Sequence, residues 1–142
     1  MSLFTLPLSD ATAALETVGG KGLSLTKMIC SGFPVPDGFH ITTEAYRYFI
    51  AANGLQPKIL AALADMDDSL PSTLETASAT ISRFFAEALI PEEISVSIKN
   101  AYLTLGNSHL TLPVAVRSSA TAEDLPEASD RKSTRLNSSH RT

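Results

Sequence analysis

Helical periodicity in the second half of the chain constrains its fold most strongly. Between residues 74 and 105, apolar side chains recur every three or four positions, which places them on one face of an α-helix. Pro91, Glu92 and Glu93 interrupt this pattern and predict a new helix start, because proline and carboxylates suit the first helical turn. We therefore predict two helices, the second ending at Gly106-Asn107. Their apolar faces are Leu74, Ala77, Ile81, Phe84, Phe85, Ala88 and Leu89, then Ile94, Ile98, Ala101, Tyr102 and Leu105.

Glycine and proline divide the first half into short elements. "TVGGKG" at 17–22 predicts a loop, followed by a helix that stops at Gly32. "FPVPDGFHIT" predicts a turn, a strand over Phe39–Thr42, and then a helix over about 44–52 that ends at Asn53-Gly54. "LPVAVRSS" at 112–119 predicts a short buried strand. The chain is therefore predicted to be α+β, mostly helical with short strands.

The charge of the chain is unevenly distributed. Of its 142 residues, 44% are hydrophobic, which is enough for one domain with a core. Residues 130–142 hold four of the 11 basic side chains and one of the 15 acidic ones, so residues 1–129 hold 7 and 14, a net charge of −7. Such an acidic body argues against nucleic-acid binding, which needs a basic face. Any bound anion must be held locally by a few donors.

Cysteine content and hydropathy indicate a cytoplasmic protein that contacts no membrane. The only cysteine, Cys30, excludes an internal disulfide and fits a reducing compartment. Because its neighbours are apolar, Cys30 is predicted to be a buried structural thiol. No run approaches the roughly 18 apolar residues of a membrane span, and the N-terminus lacks the pattern of a secretory signal.

Two polar segments carry candidate phosphate ligands. In "VGGKG", Gly19 and Gly20 permit close approach of the backbone, and Lys21 supplies a mobile positive charge. In "AVRSSA", the guanidinium of Arg117 suits bidentate contact with phosphate oxygens, and Ser118 and Ser119 add hydroxyl groups.

Each segment also has a simpler interpretation. "VGGKG" lacks the GxxxxGK[ST] spacing of a Walker A loop, so it could be a turn with a surface lysine. Arg117 could pair with Glu123 or Asp124 instead of a ligand. "DMDD" at 65–68 could suggest a metal site, although a solvated helix end is the favoured interpretation.

Three longer motifs identify a family resemblance. "VGGKGLSLTKM", "GFPVPDGFHITTEAYRYF" and "VAVRSSATAEDLPEAS" together span about residues 17–129. This pattern resembles the N-terminal nucleotide-binding domain of the phosphoenolpyruvate synthase and pyruvate phosphate dikinase family, which includes the rifampicin phosphotransferases and, more distantly, glucan water dikinases.

The resemblance implies an ATP-grasp-like fold and an ATP-dependent phosphotransferase. Lys21 and Arg117 match the lysine and arginine that grip the nucleotide phosphates. Gly19, Gly20, Ser118 and Ser119 match positions that could support them. The cofactors implied are ATP and Mg²⁺, with the magnesium ligands in a C-terminal part that this chain lacks. In the family the phosphoryl group passes to a histidine on a separate domain, and then to pyruvate or another acceptor.

The resemblance ends at residue 129. The family continues there into a glycine-rich loop, whereas "DRKSTRLNSSHRT" contains no glycine and resembles a translated adaptor sequence. We therefore expect residues 1–129 to be a partial AMP/ATP-binding domain and residues 130–142 to be an unstructured, non-native tail. No catalytic or metal-binding residue is expected in the chain, and His40, His109 and His140 are not expected to be catalytic. The chain alone is predicted to be inactive. The alternative is a non-catalytic interaction module that retains the fold.

Overall fold

A computed structural model describes residues 3–106 and 112–121 of the chain. These residues are mostly helical with one two-stranded sheet, which agrees with the predicted α+β class. None of the helices in these two ranges is long and apolar enough to cross a bilayer. The elements in order are β1 (Thr5–Pro7), α1 (Leu15–Cys30), β2 (Phe39–Ile41), α2 (Thr43–Ala52), α3 (Leu55–Ala64), α4 (Pro71–Glu87) and α5 (Glu92–Leu105).

The chain divides into two compact units. The first contains the described residues up to Glu44 and those from Ser97 onward, and the second runs over Ala45–Val96.

The sheet of the first unit is an antiparallel pair of β1 and β2. Leu6 faces His40 in the register, with Thr5 opposite Ile41 and Pro7 opposite Phe39. A two-stranded ribbon is marginally stable alone, so it needs packing from a helix. That packing comes from α1, which has a stripe of buried residues at four-residue spacing: Val18, Gly22 and Thr26. The last of these, Thr26, is hydrogen-bonded to His40 on β2.

The start of α1 corrects the predicted loop at 17–22. These residues lie within α1, except that Gly19 has φ 72° and ψ 175° and breaks the helix at one point. The loop prediction was wrong because only one of the three glycines uses a conformation closed to other residues. Val18 and Thr17 complete a short turn, in which both backbone N–H groups donate to the Ala14 carbonyl oxygen at 3.0 Å.

The end of α1 confirms Gly32 as the helix stop. Gly32 has φ 88°, and its N–H donates to the Ile29 carbonyl oxygen. The N–H of Phe33 donates to the Met28 carbonyl oxygen. This pair of bonds is a Schellman motif, which satisfies carbonyl groups left open at a helix end. The prediction of a buried Cys30 was wrong. Cys30 is exposed because it is the last helical residue, one turn beyond the buried Thr26.

The predicted strand and helix after the first turn are confirmed within two residues. The strand ends at Ile41 rather than Thr42, and α2 ends at Ala52, immediately before Asn53. Gly54 has φ 58° and precedes α3 directly.

Aromatic side chains pack α4 inside the second unit. The ring of Phe85 stacks against those of Tyr46 and Phe49, with centroids 6.2 and 5.8 Å apart. Ala77 on the predicted apolar face is buried, whereas Leu74 and Leu89 from the same predicted face are 57% and 80% exposed. Leu89 leaves the apolar face because α4 ends at Glu87 and the next residue is already extended.

The "DMDD" segment forms the connection between α3 and α4. The Asp67 carboxylate accepts hydrogen bonds from the N–H and hydroxyl of Ser69 at 2.9 and 2.6 Å. These bonds lower the pKa of Asp67. The segment therefore shapes a turn, in agreement with the helix-end interpretation.

Helix α5 begins at Glu92, as Pro91 predicted, and ends at Leu105. Ile94 on its apolar face belongs to the second unit and is buried. In the first unit, the Tyr102 hydroxyl donates to the Leu112 carbonyl oxygen at 2.6 Å and so anchors the segment over residues 112–121.

Residues 112–121 correct the predicted buried strand. The segment has no regular secondary structure, and Val114 and Val116 are 50% and 89% exposed. A strand buried on both faces needs neighbouring strands, and the only sheet among residues 3–106 and 112–121 is the β1–β2 pair. The alternation of apolar residues in this segment therefore does not correspond to a buried strand.

Candidate functional site

The two polar segments singled out in the sequence lie in direct contact. The Ser119 hydroxyl donates to the Val18 carbonyl oxygen at 2.7 Å and accepts from the Gly22 N–H at 3.1 Å. The Gly20 N–H donates to the Ala120 carbonyl oxygen at 3.1 Å. We call these three hydrogen bonds, between Val18–Gly22 and Ser119–Ala120, the clasp. They join parts of the chain about a hundred residues apart in sequence.

Gly19 lies at the closest approach of the two segments. Its combination of φ 72° and ψ 175° is open almost only to glycine. A Cβ atom at this position would overlap the Ser119 hydroxyl oxygen and lie 2.9 Å from the carbonyl carbon of Ser119. Both the backbone conformation and the contact therefore require glycine here.

The clasp caps the part of α1 that resumes after Gly19. The first N–H groups of a helix have no acceptor within the helix. Here the N–H groups of Gly20 and Gly22 find acceptors at Ala120 and Ser119, far away in sequence. Of the predicted supporting residues, Gly19, Gly20 and Ser119 are thus brought together, and the N–H of Gly20 is already hydrogen-bonded within the chain.

Lys21 and Arg117 both lie beside the clasp. Lys21 lies between Gly20 and Gly22, which both belong to the clasp. Arg117 precedes Ser119 by two positions, so the Cα atoms of Arg117 and Ser119 are at most about 7 Å apart. The side chains of Lys21, Arg117 and Ser118 are exposed. The structure therefore places both predicted cations on segments that are hydrogen-bonded to each other. Glu123 and Asp124, the alternative partners of Arg117, lie outside the described residues.

A buried histidine supports α1 from the side of β2. Thr26 Oγ1 and His40 Nε2 are 2.9 Å apart, and both residues are buried. A Cβ atom on Gly22 would lie 3.1 Å from His40 Nδ1, so the missing side chain of Gly22 makes room for the ring. Burial lowers the pKa of His40, which keeps the imidazole neutral near pH 7. His40 therefore has the position of a structural residue, whereas His109 and His140 lie outside the described residues.

Sequence reasoning missed this support and the role of Ala120. No periodic pattern links Thr26 with His40, because they lie on different elements. The one available signal was Gly22, the third glycine of "VGGKG". A glycine is needed there because the ring of His40 packs against it.

No group of three or more His, Cys, Asp or Glu residues that could hold a metal ion occurs within 3–106 and 112–121. The exposed polar side chains beside the clasp are the cationic groups of Lys21 and Arg117 and the hydroxyl group of Ser118.

Comparison with known proteins gives a consistent family. Residues 15–137 match the family described as pyruvate phosphate dikinase, AMP/ATP-binding domain. A probable phosphoenolpyruvate synthase of Methanocaldococcus jannaschii is 45% identical over 119 residues, which cover 81% of this chain and 10% of that protein. A probable phosphoenolpyruvate synthase of Staphylothermus marinus is 43% identical over 116 residues, covering 79% and 14%. The phosphoenolpyruvate synthase of Pseudomonas aeruginosa is 44% identical over 119 residues, covering 81% and 15%.

This chain spans only about 10–15% of the length of these relatives. The match to the family covers most of the chain and includes both segments of the clasp. The chain therefore belongs to the pyruvate phosphate dikinase AMP/ATP-binding domain family.

Proposed function

We propose that this chain supplies part of the ATP site of an ATP-dependent phosphotransferase, with Lys21 and Arg117 as ligands of the nucleotide phosphates. The observation that carries the proposal is the clasp, which holds the segments bearing these two cations together. The family description supports ATP as the nucleotide. We also propose that the complete domain has an ATP-grasp-like fold.

The charge distribution supports a local site. Residues 1–129 carry 7 basic and 14 acidic side chains, a net charge of −7, so an anionic nucleotide is repelled by the body as a whole. Lys21 provides a compact, mobile charge, and Arg117 a planar fork that fits two phosphate oxygens. Ser118 is exposed beside Arg117 and has a hydroxyl hydrogen to donate.

The metal site belongs to a part of the protein beyond this one. Phosphoryl transfer from ATP uses Mg²⁺ to offset charge on the phosphate oxygens. Hard cations of this kind need oxygen ligands such as carboxylates, and residues 3–106 and 112–121 contain no suitable acidic cluster. We propose, as the family resemblance implies, that the magnesium ligands lie in the portion that the longer relatives have in addition.

The full-length parent is proposed to be of the phosphoenolpyruvate synthase type. The relatives named above carry that name and are several times longer than this chain. We propose that a phosphohistidine domain and an acceptor domain complete the parent, that pyruvate is the acceptor in preference to antibiotics or glucans, and that the chain alone has little turnover. The single cysteine supports a cytoplasmic location.

A titration with ATP tests the proposal. Binding to the purified chain would be followed by NMR chemical shifts, with and without Mg²⁺, for the wild type, Lys21→Ala and Arg117→Ala. Each substitution is expected to weaken binding about tenfold, because each removes a charge-assisted hydrogen bond. Lys27→Ala is the matched control, since Lys27 is exposed on the same helix six residues further along the chain.

Two results would contradict the proposal. One is a folded wild type that shows no ATP binding at millimolar concentration, which would favour the non-catalytic interaction module. The other is a loss of affinity in Lys27→Ala equal to that in Lys21→Ala, which would indicate general electrostatic attraction.

A further inference from the structure

We infer that Ser119 is a positioning residue for the phosphate clamp, which sets where Arg117 lies relative to Lys21, and that it is not itself a phosphate ligand. This inference rests on the proposed function of Lys21 and Arg117.

The hydrogen bonds of Ser119 argue against direct phosphate contact. A serine hydroxyl has one hydrogen to donate and two lone pairs to accept. Its hydrogen is used on the Val18 carbonyl oxygen at 2.7 Å, and one lone pair accepts the Gly22 N–H at 3.1 Å. A phosphate oxygen is an acceptor and needs a hydrogen, so Ser119 has none left for it. The adjacent Ser118 differs, because its exposed side chain makes neither of these two bonds.

The exposure of the segment explains why such an anchor is needed. Residues 112–121 form no regular secondary structure, and Val116 is 89% exposed. The segment is held at its start by the bond from Tyr102 to Leu112, and at its end by Ser119 and Ala120. Arg117 lies much closer in sequence to the second anchor. Its backbone position therefore depends mainly on the clasp.

Ser119 is also the member of the clasp that a side-chain substitution can remove. The bond from Gly20 to Ala120 joins two backbone groups, so truncating a side chain does not remove either of its atoms. Ser119→Ala deletes both side-chain bonds at once, whereas Ser119→Thr keeps a hydroxyl at the same position. The comparison of these two variants separates the effect of the hydroxyl group from the effect of having a side chain at this position.

The test uses two independent readouts on the 142-residue chain. The first needs no nucleotide: amide hydrogen exchange of Gly22 by NMR, which is expected to accelerate about tenfold in Ser119→Ala, because its acceptor is lost. The second is the dissociation constant for ATP, which is expected to rise about fivefold in Ser119→Ala and to return to within about twofold of wild type in Ser119→Thr. Ser24→Ala, an exposed serine on α1, is the control for both.

The outcomes distinguish this inference from the proposed function. Unchanged Gly22 exchange in Ser119→Ala overturns the clasp itself. A second outcome is that Ser119→Ala accelerates Gly22 exchange but leaves ATP affinity unchanged, while Lys21→Ala and Arg117→Ala weaken ATP binding. This outcome overturns the positioning role and leaves the proposed function intact. A folded wild type without ATP binding overturns both, although the exchange data still decide whether the clasp exists.

Discussion

The Ser119 hydroxyl donates a 2.7 Å hydrogen bond to the carbonyl oxygen of Val18, 101 residues earlier in the chain. Val18 is the last residue before the break in α1, so the bond fixes the late segment at the point where the helix direction is interrupted. The same hydroxyl accepts from Gly22, which lies on the other side of that break. One side chain therefore spans the helix interruption and ties it to the segment that carries Arg117.

Gly19→Ala is expected to destabilise the chain strongly. Alanine at φ 72° and ψ 175° costs about 1–3 kcal/mol in backbone strain, and its Cβ would also displace Ser119. The measurement is the free energy of unfolding from urea titration. Gly32→Ala is the matched control: φ is 88° and no atom lies within 4 Å of the added Cβ, so it carries backbone strain alone. Equal losses in the two variants would show that contact with Ser119 contributes nothing.

His40 is expected to make stability depend on pH in the weakly acidic range. Burial lowers the pKa of His40 in the folded chain, so the unfolded chain takes up a proton more readily. The free energy of unfolding should therefore be highest above the unfolded pKa of about 6.5, decrease as pH falls through it, and level off below the folded pKa. Urea titrations of wild type and His40→Gln between pH 5 and 8 would measure this. Identical pH profiles would contradict a buried neutral imidazole.

Thr26→Val is expected to cost about 1–3 kcal/mol, because it removes the hydroxyl that bonds the buried ring of His40. The shape of threonine is kept, so a loss of this size reports the hydrogen bond rather than packing. Thermal or urea unfolding at pH 7.5 would measure it, with Thr104→Val on the exposed side of α5 as the control. Equal stability of the two variants would contradict the structural role of the pair.

Val116→Ser is expected to change the free energy of unfolding by less than about 0.5 kcal/mol, because Val116 is 89% exposed. Ile94→Ala, at a residue only 4% exposed, should cost about 2–5 kcal/mol. Urea titrations of both variants decide between an exposed segment and the buried strand that the sequence predicted. A cost above about 1.5 kcal/mol for Val116→Ser would favour a buried strand.

Local signals in the sequence predicted most of the helices correctly. Pro91 with its two glutamates marked the start of α5, and Gly32 marked the end of α1, because these residues act through the backbone around them. The proximity of "VGGKG" and "AVRSSA" was suggested only by their shared suitability for phosphate and by the family resemblance. The hydrogen bonds that join them have no local signature.

The wrong predictions share a physical cause. Burial of the strand at 112–119 and of Cys30 was inferred from apolar neighbours in sequence, yet burial depends on what packs against a residue in space. Val116 has no adjacent strand among the described residues, and Cys30 lies past the end of the buried stripe of α1. The loop prediction at 17–22 failed because the clasp supplies acceptors that allow α1 to resume at Gly20.

The most direct test of the central claim compares ATP with adenosine in the wild type, Lys21→Ala, Arg117→Ala and the double variant. If both cations bind the phosphates of one nucleotide, each substitution should weaken ATP binding about tenfold and leave adenosine binding unchanged. The loss of ATP binding free energy in the double variant should differ from the sum of the losses in the two single variants, since the two side chains share a ligand. Equal losses for ATP and adenosine, or no loss for either, would contradict the claim.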